Sequence, residues 1–225
     1  MEVAIEPILR RRFFGIKVIA AEVEGVTVSK GSPELEEFKE QITKAVRNEH
    51  DIENLKDLPL IKAYRDFFWE VGIDPTKIRP ASEALIRRLL RGRTLPAINT
   101  VVDAYNLASI ESHIAIGAFD RDNVAGEIVI RQAGEREKFL GIGMREPLIL
   151  KGREVVVEDF EKLIAIYPYR DSDATKITLE TTNVLLLMCG VPDVGRDVLE
   201  DALELTVEYV TRFCGGEKKV RNIGK

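Results

Sequence analysis

Apolar residues recur every three or four positions in several stretches of the chain, which is the spacing of one helix face. The first such helix is predicted to begin at Ser32-Pro33-Glu34, because Ser caps a helix and Pro tolerates its first turn. Two more helices are predicted from about Pro59 to Gly72 and from near Ser82 to Gly92, each ended by a glycine. Before them, the looser alternation over residues 13–23 predicts a strand.

After Pro96, short apolar runs are separated by glycines and polar turns. Helices are predicted only over Asn99–Ile114 and Gly195–Val210. The strand candidates between them are Glu127–Ala133, Phe139–Ile142, Val155–Val157, Leu163–Tyr167 and Asn183–Cys189. Helices followed by short strands, without regular βαβ alternation, predict an α+β fold. We expect one domain over residues 1–225, with a helical part at about 1–95, a β-rich core at about 96–190 and a C-terminal helix at about 194–212.

Composition narrows the class of protein. The chain has 225 residues, of which 45% are hydrophobic, and a net charge of −5, which is typical of a globular protein and argues against non-specific nucleic-acid binding. The longest apolar run, Val184–Cys189, is too short to cross a bilayer, so we expect no membrane partner and a cytoplasmic location. Neither cysteine belongs to a CxxC pair, and no metal or organic cofactor is predicted. A basic tail with Lys218, Lys219 and Arg221 is expected to be loose.

The usual catalytic signatures, GxSxG, HExxH and the P-loop, are absent, so the candidate chemistry rests on polar clusters. His113 is either a proton shuttle or a structural histidine. The densest cluster is Tyr167–Lys176. In it, Arg170 and Lys176 could bind an anion, Asp171 or Asp173 an ammonium group, and Ser172 or Thr175 a water or a carbonyl. The alternative interpretation is a turn in which polar side chains cap a helix.

A second basic group could follow a phosphate backbone, or could be the solvated face of a helix. Its members are Arg87, Arg88, Arg91 and Arg93.

Several spaced motifs together resemble the B3/B4 domain of the phenylalanyl-tRNA synthetase beta subunit. They are Asn99–Asn106, Ile116–Asp120, Gly126–Arg131, Gly143–Glu146 and the run from Asp173 through Asn183. Free-standing B3/B4 proteins also resemble the chain at Ala63–Pro75 and Arg79–Arg88, so the resemblance covers about residues 13–212. It implies a layered α+β fold with a β-sandwich and packed helices. It also implies editing of mischarged tRNA, which in the synthetase domain means hydrolysing tyrosine from tRNA specific for phenylalanine.

The pocket residues of that family carry over only in part. The synthetase domain lines its editing pocket with a Thr-Asn pair, a His and a Glu. The matching positions here hold Tyr105-Asn106, Gly117 and Leu187, so only the asparagine is retained. A pocket without the hydroxyl-reading acid is expected to accept a different, more apolar side chain.

Two functions follow as hypotheses. The first is a free-standing protein that binds the aminoacylated 3′ end of tRNA and hydrolyses a mischarged amino acid, with an aminoacyl-tRNA synthetase as a further candidate partner. Its catalytic candidates are Asn106, Ser109, Asp120 and Thr175. Its substrate-binding candidates are Tyr105, Gly117, Arg170, Asp171, Ser172, Lys176 and Leu187, and its RNA-binding candidates are the arginines at 87, 88, 91 and 93. The second is a non-catalytic module that binds an amino acid or RNA. The first requires Asn106 and the Arg170–Lys176 cluster to share one pocket; the oligomeric state is left open.

Overall fold

A computed structural model describes residues 3–219 as six α-helices and eleven strands, joined by turns and short 3₁₀ segments. The helices are α1 (Pro7–Arg12), α2 (Pro33–Glu49), α3 (Pro59–Glu70), α4 (Ala81–Leu90), α5 (Thr100–Ser112) and α6 (Arg196–Cys214). The strands are β1 (Val3–Ile5), β2 (Lys17–Glu24), β3 (Ile116–Asp120), β4 (Ile128–Gln132), β5 (Glu135–Phe139), β6 (Leu148–Lys151), β7 (Val155–Glu158), β8 (Leu163–Tyr167), β9 (Arg170–Asp171), β10 (Asn183–Gly190) and β11 (Glu217–Lys219).

Side-chain caps fix where two of the predicted helices begin. The Ser32 hydroxyl accepts a hydrogen bond from the Leu35 backbone N–H at 3.2 Å, which starts α2. The Asn99 side chain accepts from the Val102 N–H at 2.9 Å and starts α5 in the same way. Both starts agree with the sequence-based prediction.

The strands form two larger sheets and one ribbon. The first sheet has the order β1-β4-β7-β8-β9 and the second has the order β11-β2-β10-β3, while β5 and β6 pair with each other. In the second sheet the apolar strand β10 lies between β2 and β3 and is buried along almost its whole length. The parallel pair β1–β4 is too short to be read from the sequence pattern.

The two larger sheets share one hydrophobic core. Tyr167, at the end of β8, lies with its hydroxyl 2.7 Å from the carbonyl oxygen of Gly190 in β10 and so joins the sheets. Tyr64 of α3 is fully buried, donates its hydroxyl to the Cys189 carbonyl at 2.6 Å and accepts from the Ala115 N–H at 3.1 Å. The α+β class is confirmed, and no helix among residues 3–219 is both long and apolar enough to cross a membrane.

Two local predictions were wrong. The apolar run Phe139–Ile142 is not a strand, because the chain leaves β5 after Phe139 and only Gly141 makes an isolated bridge, to Ser172. Lys218 and Lys219 are not loose, since β11 pairs with β2 and the two lysines pair with Glu204 and Glu24. Arg221 of the same predicted tail lies outside the described residues.

Candidate functional site

A cavity of about 170 Å³ opens where α5 meets the facing sheets. Strands β3 and β10 form one side of it, and the β8–β9 corner forms the other. Six of the residues predicted from the sequence line it: Tyr105, Asn106, Gly117, Arg170, Asp171 and Leu187. Asn106 therefore shares one pocket with the first two residues of the Arg170–Lys176 cluster.

The floor of the cavity is a pair of facing residues on neighbouring strands. Gly117 of β3 and Leu187 of β10 are direct register partners, so these positions share one face of the sheet. A Cβ atom at position 117 would lie 3.2 Å from the Phe119 ring and 3.5 Å from Oδ1 of Asp171. Glycine at this position therefore keeps the space beside the Asp171 carboxylate open.

Asp171 is the acidic group of this cavity. Burial raises the pKa of its carboxyl from about 3.8 to about 7, and a hydrogen bond from the Ala118 backbone N–H only partly opposes that shift. Among residues 3–219 no Lys, Arg or His forms an ion pair with it. The carboxyl thus lacks the positive partner that would favour its ionised form.

Arg170 is held at the edge of the cavity by its neighbours. Its guanidinium donates to the Ile142 carbonyl at 3.1 Å and lies 5.3 Å from the centre of the Tyr169 ring. Gly141 permits this path, because a Cβ atom there would come within 2.4 Å of Cδ of Arg170. Its other guanidinium N–H groups make no hydrogen bond within residues 3–219, so they can donate to a ligand.

Asn106 is the uncharged polar group of the cavity. It is half-buried on α5, and its side-chain amide makes no hydrogen bond to any part of the chain that the structure describes. An amide offers two N–H donors and one oxygen acceptor, so this side chain can bind a carbonyl or a hydroxyl.

Five predicted residues do not line the cavity, and local bonds account for the polar atoms of four of them. Ser109 donates to the Ile114 carbonyl at 2.6 Å, and Asp120 accepts from the Thr181 hydroxyl at 2.7 Å. Ser172 accepts from the Ala174 N–H at 3.2 Å, and Lys176 pairs with Asp173 at 2.8 Å. The fifth, Thr175, is fully buried, and its hydroxyl has no hydrogen-bond partner in the part of the chain that the structure describes. A direct role for these five residues in catalysis or binding stays a prediction.

The arginines of α4 and the turn after it also lie away from the cavity. Arg87 pairs at 2.7 Å with Glu83, a fully buried carboxylate that Arg65 also binds at 3.0 Å. Arg88 donates to the Thr94 carbonyl at 2.5 Å. Arg91 and Arg93 are exposed, and the role of the four arginines in RNA binding stays a prediction.

The two histidines pair with each other outside this cavity. The rings of His50 and His113 lie 5.3 Å apart at the ends of α2 and α5. Burial, together with the neighbouring His50, lowers the pKa of His113. His113 therefore does not stand where a proton shuttle for the cavity would be needed.

Sequence reasoning missed the apolar part of the lining, such as Phe119 and Cys189. The signal was the period of two along a strand: if Gly117 and Leu187 face a pocket, then Phe119 and Cys189 face it as well.

Comparison with known proteins matches the chain to one family and to a solved structure with a similar fold. The family model of the B3/4 domain matches residues 63–215. Phenylalanine–tRNA ligase beta subunits of Cutibacterium acnes and Moorella thermoacetica are 34% identical over 107 residues and 32% identical over 137 residues. These matches cover 48% and 60% of this chain but only 12% and 17% of the relatives, so the chain spans a small part of their length.

A solved structure resembles the chain over almost its whole length. It is an N-terminal fragment of the phenylalanyl-tRNA synthetase beta subunit from Pyrococcus horikoshii, with a TM-score of 0.56 and 17% identity, matched over 99% of this chain and 51% of the fragment. This likeness confirms the layered α+β fold inferred from the motifs. Since the family model covers more than half of the sequence and includes every residue of the cavity named above, the chain belongs to the B3/4 domain family.

Proposed function

We propose that this chain binds the aminoacylated 3′ end of tRNA and, acting without an attached synthetase, hydrolyses the ester of a mismatched or non-standard amino acid. The observation that carries the proposal is the shared cavity, in which Asn106, Arg170 and Asp171 surround the open floor at Gly117 and Leu187. Membership of the family supports it, since the relatives are phenylalanine–tRNA ligase beta subunits. The proposal places the protein in the cytoplasm, with a synthetase as a second partner.

The volume and lining of the cavity suit an apolar side chain. An engineered cavity of about 150 Å³ in another protein binds benzene, and the cavity here measures about 170 Å³. Leu187, Ile116 and Phe119 supply apolar wall, and none of them can pair with a hydroxyl group. A ligand hydroxyl buried against this wall would lose its hydrogen bond to water, so the cavity favours an aromatic or aliphatic side chain without one.

Asp171 is the group that would bind the α-ammonium of the amino acid. A positive charge beside this carboxyl would favour its ionised form and return its pKa towards the ordinary range. Free amino acids and aminoacyl esters both carry this ammonium group, whereas an uncharged RNA 3′ end does not. Asp171 would therefore distinguish charged from uncharged tRNA.

The chemical step needs little from the protein, because an aminoacyl ester is already activated. The oxygen of a water molecule attacks the ester carbonyl carbon, and the bond from that carbon to the ribose oxygen breaks. The ribose oxygen leaves with a proton from the attacking water, giving free tRNA and free amino acid. Within this step the Asn106 amide would donate to the developing oxyanion, and Arg170 would bind the carbonyl oxygen or the nearest phosphate.

A deacylation panel tests the proposal. The purified protein is offered radiolabelled aminoacyl-tRNAs, cognate and mischarged, beside the Asn106→Ala variant and the matched control Asn48→Ala, which changes an exposed asparagine of α2. We expect one amino acid to be released, and the release to be lost only with Asn106→Ala. Release that persists in this variant would contradict the assigned role of Asn106.

The second candidate is a non-catalytic module, favoured by Gly117 and Leu187 at the two positions where the synthetase domain is polar. It predicts saturable binding of aminoacyl-tRNA or amino acid without any release above the buffer control. That result, obtained with folded protein across the whole panel, would replace the hydrolase proposal.

A further inference from the structure

A second, smaller cavity of about 110 Å³ lies at the start of β2 and of α6, and its polar lining is basic. Arg10 of α1, Lys17 of β2 and Arg196 of α6 line it, and the rest of its wall is apolar. Among the described residues, no acidic side chain belongs to this lining. Arg196 pairs at 2.8 Å with Glu200, which is exposed on α6.

The three cations come from three different elements of secondary structure. They are therefore brought together by the fold and not by closeness in the sequence. Arg196 is the first residue of the 19-residue helix α6, and no side chain caps this end of the helix within the described part of the chain. The first backbone N–H groups of α6 therefore add positive potential there, reduced in part by Asp197 in the first turn. The Lys17 ammonium donates one hydrogen bond, to the Gly15 carbonyl at 3.0 Å, and an ammonium has three donors.

The basic cavity lies close to the candidate functional site. Val18 lines the basic cavity and is the register partner of Cys189, which lines the larger cavity. Paired strands lie about 4.8 Å apart. A second contact links the two cavities: the Tyr167 hydroxyl, in the wall of the larger cavity, is 3.4 Å from the carbonyl oxygen of Lys17, which lines the basic cavity. The two cavities thus adjoin each other along the β2–β10 strand pair.

We propose that the basic cavity binds a phosphate group. A cavity of this volume has room for several waters, and a phosphate offers oxygens to a guanidinium fork and an ammonium at once. Resting on the proposed function, the phosphate belongs to the RNA strand with its 3′ end in the larger cavity. The protein is acidic overall, yet this cavity would let it contact an RNA phosphate beside the proposed reaction site. The residues that make this contact would be those of the basic cavity and not the arginines of α4.

The test has two arms, one for each source of phosphate. Binding of inorganic phosphate and pyrophosphate is measured by calorimetry, and binding of an uncharged single-stranded RNA ending in CCA is measured by anisotropy between 50 and 200 mM KCl. The variant is Lys17→Gln with Arg196→Gln. The matched control is Arg11→Gln with Lys30→Gln, which removes the same charge at exposed positions outside the cavity.

We expect the variant, but not the control, to lose phosphate binding and to bind the RNA with a weaker salt dependence. One lost phosphate contact lowers the slope of log K against log salt by about 0.7 for a single strand. The ratio of the binding constants at 50 and 200 mM KCl is then about 2.6-fold smaller for the variant than for the wild-type protein. Loss of phosphate binding with an unchanged RNA slope would overturn the RNA assignment and leave a site for free phosphate. Absence of phosphate binding to the wild-type protein would overturn the proposal.

These outcomes are independent of catalysis. The RNA carries no amino acid, so there is no ester to hydrolyse. The slope is measured again with Asn106→Ala, which alters only the larger cavity. If the protein hydrolyses no aminoacyl-tRNA but shows the change in salt slope, the phosphate site stands and the proposed function fails. If it hydrolyses aminoacyl-tRNA and shows no change in slope, the proposed function stands and the assignment of RNA to the phosphate site fails.

Discussion

Replacing Asp171 by asparagine should change how the stability of the protein depends on pH. The folded carboxyl has a pKa of about 7, against about 3.8 when exposed to water. The folded state therefore holds this proton more tightly than the unfolded state does. The contribution of Asp171 to the free energy of unfolding is therefore fully present below about pH 4 and is lost as the pH rises through 7. The asparagine side chain of the Asp171→Asn variant has no such proton to lose.

The size of the effect follows from the two pKa values. At 1.36 kcal/mol per unit of pKa shift, about 3 units amount to about 4 kcal/mol above pH 7, of which about 2–3 kcal/mol develops between pH 5 and pH 8. Because the carboxyl faces a cavity that admits water, this value is an upper bound. The variant should therefore gain stability over the wild-type protein across this window.

Urea unfolding at pH 5 and pH 8 measures this difference. Asp173→Asn is the matched control, because Asp173 lies two residues away, is partly exposed and pairs with Lys176. Parallel pH dependences for the wild-type protein and Asp171→Asn would refute the reasoning, because they would show that the Asp171 carboxyl is already ionised at pH 5. An ammonium ligand in the cavity should also bind more tightly as the pH rises through about 7, until its own amino group deprotonates at about 7.7–8.0.

Three further predictions concern buried polar groups and one closely packed glycine. Tyr64→Phe removes the hydroxyl that binds the buried Cys189 carbonyl and Ala115 N–H and should lower the free energy of unfolding in urea by about 2–4 kcal/mol. Tyr105→Phe is the control: it removes a hydroxyl that makes no hydrogen bond in the described residues and should lower this free energy much less. Glu83→Gln removes the buried charge that binds Arg65 and Arg87 and should cost about 3–5 kcal/mol by the same assay, with an unchanged unfolding midpoint counting against a structural role. Gly141→Ala places a Cβ atom against Cδ of Arg170 and against the buried Phe139 ring. It should weaken ligand binding about tenfold, the loss expected for one charge-assisted hydrogen bond. Ligand binding equal to that of the wild-type protein would contradict a contact between Arg170 and the ligand.

The sequence pattern was sufficient for elements with strong local signals. Ser32 and Asn99 act as caps, and the apolar run of β10 becomes the buried central strand. It was not sufficient for β1 and β9, which have three and two residues and depend on partners far along the chain.

The same distinction holds for the candidate site. Tyr105, Asn106, Gly117 and Leu187 were found because a family motif marks them, and the structure brings them to one cavity. Ser109, Asp120 and Thr175 were chosen for their polar side chains, and no pocket-lining position of the family was matched to them. A side chain's type does not tell whether its polar atom faces a ligand or its own backbone, and Ser109 bonds to the Ile114 carbonyl. Cys189 was missed for the opposite reason, because an apolar residue carries no chemical signal of its own, and only its position two residues after Leu187 in β10 indicates that it faces the cavity.

The larger cavity draws its walls from positions as far apart in the chain as Ala81 and Cys189, and from both major sheets. It can exist only after these distant segments have assembled, so a compound that occupies it binds the native chain and not the unfolded one. Such a compound raises the free energy of unfolding by about 2.7 kcal/mol at a concentration of 100 times its Kd. Amino acids, their esters and short aminoacylated oligonucleotides can therefore be ranked by the rise in melting temperature that each produces, before any reaction has been observed.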